Sequence, residues 1–166
     1  MKRLVLSLLA ALGLIGAGCS RKREITTLQR QQAAALITEA QFALTIRDLP
    51  RAEGLFRQAA ETCPDTGAYW INLGSVCRKL GQTAEVKQAY GRAVDAFASA
   101  FAANGRDVGP LLDEMYACAL LGRMDDARAL LKNARAKFAT DPRMRGVDDQ
   151  TLDRMLGDPA FQAQAI

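Results

Sequence analysis

Beyond the first two dozen residues, apolar positions recur every three or four places, the spacing that gathers them on one face of an α-helix. Ala52, Phe56 and Ala59 keep that spacing, as do Tyr90 and Ala93, and again Ala127, Leu131 and Ala134. Ile25 to Ile46 reads as one continuous helix, with Thr26 or Thr27 as its cap and Asp48 marking the turn after it. Near the end, Leu152, Met155 and Leu156 stand at i, i+3 and i+4, followed by Asp158-Pro159 and Phe161. They predict a short helix, and the last five residues are expected to fray. Hydrophobic residues make up 49% of the chain but aromatics only 6%. A sheet wants more β-branched and aromatic surface, so the composition agrees with closely packed helices.

The pattern repeats. Arg47, Ala52, Phe56 and Ala59 align with Gly81, Val86, Tyr90 and Ala93 at a shift of 34 residues. Gly81, Tyr90 and Ala93 align in turn with Gly122, Leu131 and Ala134 at a shift of 41. The second interval is longer by two helical turns, an insertion that can lengthen a helix without rotating its apolar side. Gly81 and Gly122 can take the positive φ that ends a helix after Leu80 and Leu121. Gly74 and Ala40 lack the bulk that would keep paired helices apart.

Period and residues together resemble the tetratricopeptide repeat, a helix–turn–helix unit. The middle copy, residues 67–100, carries Trp70, Leu73, Gly74, Gly81, Tyr90 and Ala93. The first, 33–66, keeps Leu36, Ala40, Asp48, Ala52, Phe56, Ala59 and Pro64, and the third, 108–141, keeps Leu111, Gly122, Ala127, Leu131 and Ala134. Val86 replaces the usual alanine, Met115 stands where a small residue lets helices approach, and Pro64 has no counterpart in the second copy. The resemblance implies an all-α fold: an α-solenoid of about three such repeats over residues 25–142, closed by a C-terminal capping segment over 143–166. Core packing is the expected role of Trp70, which sits at the repeat's own tryptophan position.

The first twenty residues follow a different plan. Lys2 and Arg3 precede an apolar stretch from Leu4 to Ile15, then the small residues Gly16, Ala17 and Gly18, then Cys19. This is the layout of a secretory leader over residues 1–18. The apolar stretch is too short for the roughly 20 residues of a bilayer-crossing helix. Small residues followed directly by cysteine resemble the lipobox of bacterial lipoproteins, although Gly16 stands where that family more often has leucine. The resemblance implies diacylation of the Cys19 thiol, cleavage before it, and a short basic tether over residues 19–24 containing Arg21, Lys22 and Arg23. Ser20, in place of an aspartate, implies sorting to the outer membrane with the protein facing the periplasm.

Charge and chemistry narrow the function. Lys2 and Arg3 are two of 22 basic residues, against 18 acidic ones, so the processed chain is nearly balanced. Scattered charges of both signs exclude the concentrated basic face of a nucleic-acid binder. The chain has no histidine, Gly-rich phosphate loop, GxSxG or CxxC. No catalytic residue, cofactor site or metal site is expected. Asp125-Asp126 and Asp148-Asp149 read as helix-start charges. Cys77 and Cys118 share one repeat position and are expected as buried thiols. Cys63 with Cys77 is the pair best placed for a disulfide in an oxidising compartment.

Stacked repeats line a concave surface with their first helices. Carrying the family's groove positions onto this chain implies Ile37, Gln41 and Leu44 from the first copy, Ile71, Ser75, Arg78 and Lys79 from the second, and Leu112 and Tyr116 from the third. Some relatives clamp a C-terminal carboxylate with lysine and asparagine at set groove positions; Ile71 and Ser75 occupy two of these here, which argues against that specialisation. The expected function is a membrane-anchored scaffold that binds another envelope protein or peptide in this groove. The rivals are a structural envelope protein whose groove is filled by its own termini or by a second copy, and an accessory subunit of an envelope enzyme or of secretion or pilus assembly.

Overall fold

A computed structural model describes residues 24–166. The expected leader, Cys19 and the basic run Arg21–Arg23 lie outside the described residues. Six helices form three antiparallel hairpins: α1 (Thr27–Thr45) with α2 (Leu49–Thr62), α3 (Gly67–Lys79) with α4 (Thr83–Ala103), and α5 (Gly109–Leu120) with α6 (Met124–Lys137). Each helix packs against the next in chain order, so the hairpins stack into a short α-solenoid, and the described residues contain no strand. A 3₁₀ turn (Pro142–Met144) and helices α7 (Asp149–Gly157) and α8 (Pro159–Gln162) complete the chain.

The helix starts follow side-chain chemistry. Thr26 accepts from the Gln29 amide at 3.2 Å while Gln29 Oε1 accepts from the Thr26 amide at 3.0 Å, a reciprocal box that satisfies donors the helix leaves open. Asp48 accepts from the Arg51 amide at 3.2 Å to start α2, with Pro50 in the first turn.

All three hairpins share one turn. The amide of Gly81 donates to the Arg78 carbonyl at 3.0 Å and that of Gln82 to Cys77 at 3.0 Å. Gly122 and Arg123 bond the carbonyls of Ala119 and Cys118 in the same pattern, and Arg47 and Asp48 those of Leu44 and Ala43. This is the Schellman closure, which needs a left-handed residue. Gly81 has φ 74°, Gly122 φ 71° and Arg47 φ 60°. Arginine carries a steric cost there that glycine does not. Arg47→Gly should therefore stabilise the protein by about 0.5–1 kcal/mol in urea titration, the relief at Arg47 outweighing the added freedom of the unfolded chain. A loss of stability would mean that the Arg47 side chain holds something in place.

Large residues on the second helices meet residues of reciprocal size on the first. Phe56 shares the main core with Ala40, the Tyr90 ring crosses Gly74, and Leu131 is buried in the C-terminal core, against which Met115 also packs. The seven-residue insertion appears as helix length: α4 has 21 residues where α2 and α6 each have 14. Its added turns carry Phe97, packed over Gly67, and Phe101, edge-on to Phe138 at 6.2 Å between centroids.

The core divides into a main cluster through the middle of the stack and two smaller ones. The N-terminal one buries Ala33, Ala59 and Cys63, and the C-terminal one buries Val108, Leu111, Leu131 and Ala134 together with Met144 and Leu152. The latter pair comes from the 3₁₀ turn and α7, which close the open end of the solenoid. Arg143 fastens this closure, donating to Asp107 at 2.7 Å and to both oxygens of Asp141. The last five residues, expected to fray, lie against the repeats in the structure. Gln164 and Ile166 are bonded to the repeats, because the chain turns back at Pro159 and lies along α3 and α5.

Candidate functional site

Helices α3 and α5, the first helices of their hairpins, present a common inner face. A cleft of about 220 Å³ opens between them, lined by Ile71 and Asn72 of α3, Asp113 and Tyr116 of α5, and Phe97 of α4. One turn further along, residues 159–166 lie on this face. The Phe161 ring meets Tyr116 edge-on, 5.6 Å between centroids at 73°, and is only 6% exposed. Ser75 Oγ donates to Gln164 Oε1 at 3.0 Å, and Tyr90 Oη donates to the Gln164 main-chain carbonyl at 3.0 Å. The Ile166 amide donates to the Leu120 carbonyl at 3.0 Å, filling an acceptor that the end of α5 would otherwise leave open.

Tyr90 belongs to α4 but reaches this face across Gly74. A Cβ at Gly74 would stand 2.2 Å from the Tyr90 ring, so glycine allows the ring to cross α3 and carry its hydroxyl to the inner side. Burial pushes the Tyr90 pKa up, with the neighbouring Ser75 hydroxyl acting in the opposite direction, so the phenol is protonated and a donor at neutral pH. Burial likewise raises Tyr116, with the charge of Asp158 adding to the effect.

Of the nine groove positions expected from sequence, the structure brings Ser75 and Tyr116 into direct contact with the bound segment, and Ile71 into the adjoining cleft. Arg78 and Lys79 are exposed in the last turn of α3. Ile37 and Leu44 are half-buried against the main core, and Gln41 is exposed beside them. Leu112 is half-buried against the C-terminal core. Sequence reasoning missed Tyr90, Leu120, Phe161 and Gln164 as residues of this face. The available signal was Phe161, a lone aromatic among small and polar residues after Asp158-Pro159, read only as part of a cap.

The remaining chemistry is quiet. Cys63, Cys77 and Cys118 are buried free thiols, so the Cys63–Cys77 bridge is not formed. Burial pushes all three up in pKa, Cys77 to about 11, which leaves almost no thiolate at neutral pH. Trp70 lies in the core, its indole N–H donating to the Pro64 carbonyl at 3.1 Å. Among the described residues no cluster of His, Cys, Asp or Glu is arranged to hold a metal, and no helix is long and apolar enough to cross a membrane. A second, larger cleft of about 590 Å³ lies between α6 and residues 139–148, beside Lys132 and Arg135.

Stacked helical hairpins with a 34-residue spacing and a shared left-handed turn make this a tetratricopeptide-like repeat fold. Among solved structures the chain is similar to the TPR domain of Arabidopsis OM64, with 13% identity over 76% of this chain and 98% of that one, at a TM-score of 0.44. It is also similar to the Yersinia enterocolitica type III secretion chaperone SycD in complex with a peptide of the translocator YopD, with 15% identity over 84% and 97% and a TM-score of 0.45. Neither likeness is close enough to bear on function. No family profile and no curated protein matches the chain.

Proposed function

We propose that this protein is a lipid-anchored interaction scaffold of the bacterial cell envelope that binds a partner protein or peptide on the inner face of its repeats, and that it performs no catalysis of its own. One observation carries the reading: the inner face already holds a short piece of polypeptide by one aromatic anchor and hydrogen bonds to side chain and backbone. That is how a groove binds a peptide, with the anchor giving affinity and the polar groups fixing register. The leader and Cys19 support lipid anchoring, and Ser20 supports the outer membrane. Several acyl chains anchor firmly, at about 0.8 kcal/mol per buried methylene.

Crosslinking in intact cells tests the scaffold. Alanine at Ile37, Ile71, Leu112 and Tyr116 should remove the crosslinked partner while the chain stays helical, and unchanged crosslinks would place the partner elsewhere. Cys19→Ser should move the protein from the membrane to the soluble fraction and leave the leader uncleaved. A serine variant that still sediments with membranes refutes the anchor.

The same occupied face favours a second reading, a structural protein whose inner surface is permanently filled by its own chain or by a second copy. Sedimentation of the delipidated protein tests the second-copy form of this reading, which alone gives a concentration-dependent dimer.

A further inference from the structure

Residues 159–166 are attached to the inner face in a way unlike the rest of the C-terminal closure. Helix α7 is built into the C-terminal core through Leu152, whereas beyond it the chain meets the repeats through Phe161, Gln164, Ala165 and Ile166, and Gln162 donates back to the Leu156 carbonyl of α7 at 3.1 Å. Phe161 is the one buried residue of the segment, and Pro159, Ala160, Gln162 and Ala163 around it are exposed. Gln164 supplies both polar contacts to Ser75 and Tyr90, and Ile166 bonds Leu120 through its backbone. Asp158 forms the joint. It ends α7 and caps α8 by accepting from the Ala160 amide at 2.7 Å, its own backbone being extended at ψ 123°. Rotation at this one residue would lift the whole segment and leave α7 in place.

The acceptors and donors beneath the segment are also specific. Tyr90 and Ser75 both present hydroxyl donors: Tyr90 is answered by the main-chain carbonyl three positions after the aromatic anchor, and Ser75 reads the glutamine side chain at that position through Oε1. Lifting the segment would leave the Tyr90 hydroxyl, on a side chain buried among apolar groups, without its acceptor. The face is therefore matched to a ligand and does not merely tolerate one.

Taking the inner face as the binding surface, as in the function proposed above, we infer that it recognises a partner segment bearing an aromatic residue followed three positions later by glutamine, and that residues 159–166 hold this site as a displaceable internal copy of that ligand. A covalently linked competitor acts at an effective concentration in the millimolar range, so the face is closed to weak or unrelated peptides. The apparent affinity of a true partner falls by the fraction of chains in which the segment is lifted.

The probe is a fluorescently labelled, C-terminally amidated nonapeptide with the sequence of residues 158–166, titrated into the full chain by anisotropy. Phe161→Ala in the chain removes the internal anchor and should tighten peptide binding at least about tenfold over the natural chain. A peptide with alanine in place of its phenylalanine should not bind, and adding Tyr116→Ala to the Phe161→Ala chain should abolish binding. Should circular dichroism show Phe161→Ala unfolded, Gln164→Ala takes its place with the same direction of change, since it is half-buried, belongs to the segment and leaves the face itself intact.

Hydrogen exchange on the natural chain gives an independent reading. The amide of Ile166 should be protected relative to the free peptide, yet exchange far faster than the amides of α3. Exchange at the rate of the free peptide, or a folded Phe161→Ala chain that gains no peptide binding, overturns the inference. A dimer of the natural chain that Phe161→Ala dissolves would also overturn it, by showing the site filled from a second copy. If the peptide fails to bind but alanine at the inner face still removes the crosslinked partner, this inference falls and the scaffold reading stands. If both fail, both fall.

Discussion

Gly74→Ala should destabilise the fold by roughly 2–3 kcal/mol, although alanine is the better helix former. The added Cβ would lie 2.2 Å from Cε1 and 2.5 Å from Cδ1 of Tyr90, distances at which one group must move. The ring has nowhere to go. It is fully buried between α3 and α4, and its hydroxyl is bonded to the Gln164 carbonyl. The helices must separate, or the ring must swing off the inner face and release residues 159–166. Gly91→Ala in α4 is the control, because a Cβ there meets nothing within 4 Å. It should gain up to about 1 kcal/mol from helix propensity alone. Urea titration of the two variants should give shifts of opposite sign. Gain in both would show that α3 and α4 do not cross as closely as described.

Leu131→Ala should cost about 2–5 kcal/mol, the range for truncating a buried leucine whose cavity cannot fully collapse. Its consequences should also be local. Leu131 sits in the C-terminal core with Val108, Leu111, Met144 and Leu152, apart from the main cluster. In a stack where each hairpin touches only its neighbours, stability adds along the axis, and damage at one end spares the other. Hydrogen exchange should lose protection over α5, α6 and α7 and keep it over α1 and α2. Equal loss from end to end would show one cooperative unit instead.

Much of this architecture was written locally, in residues whose effect does not depend on distant neighbours. The shifts of 34 and 41 residues fixed the three hairpins, and their difference emerged as the longer α4. Gly81 and Gly122 marked left-handed turns because few other residues adopt that backbone freely. Aligning Arg47 with Gly81 placed the first turn, yet nothing in an arginine signals a positive φ. There the Schellman bonds outweigh the steric cost. The inner face was half legible. Ser75 and Tyr116 follow from the repeat frame, whereas Phe161 reaches Tyr116 only because the chain reverses at Pro159. Tyr90 was recognised as core, and its hydroxyl's reach to the other side of α3 depends on a close approach that no spacing reports. Such contacts join residues 45 to 89 positions apart and are set by packing.

The unequal lengths of α3 and α4 decide how the last two hairpins are tied together. Thirteen residues of helix span about 20 Å and twenty-one about 32 Å, so α4 outruns its partner by two turns. The overhang is a splint: Phe97 at its near end grips the second hairpin at Gly67, while Phe101 at its far end grips the third at Phe138. The first junction is tied differently: α2 stops at Thr62, and the four-residue link that follows is gripped from both sides, by Arg30 of α1 on Asp65 and by the Trp70 indole of α3 on the Pro64 carbonyl.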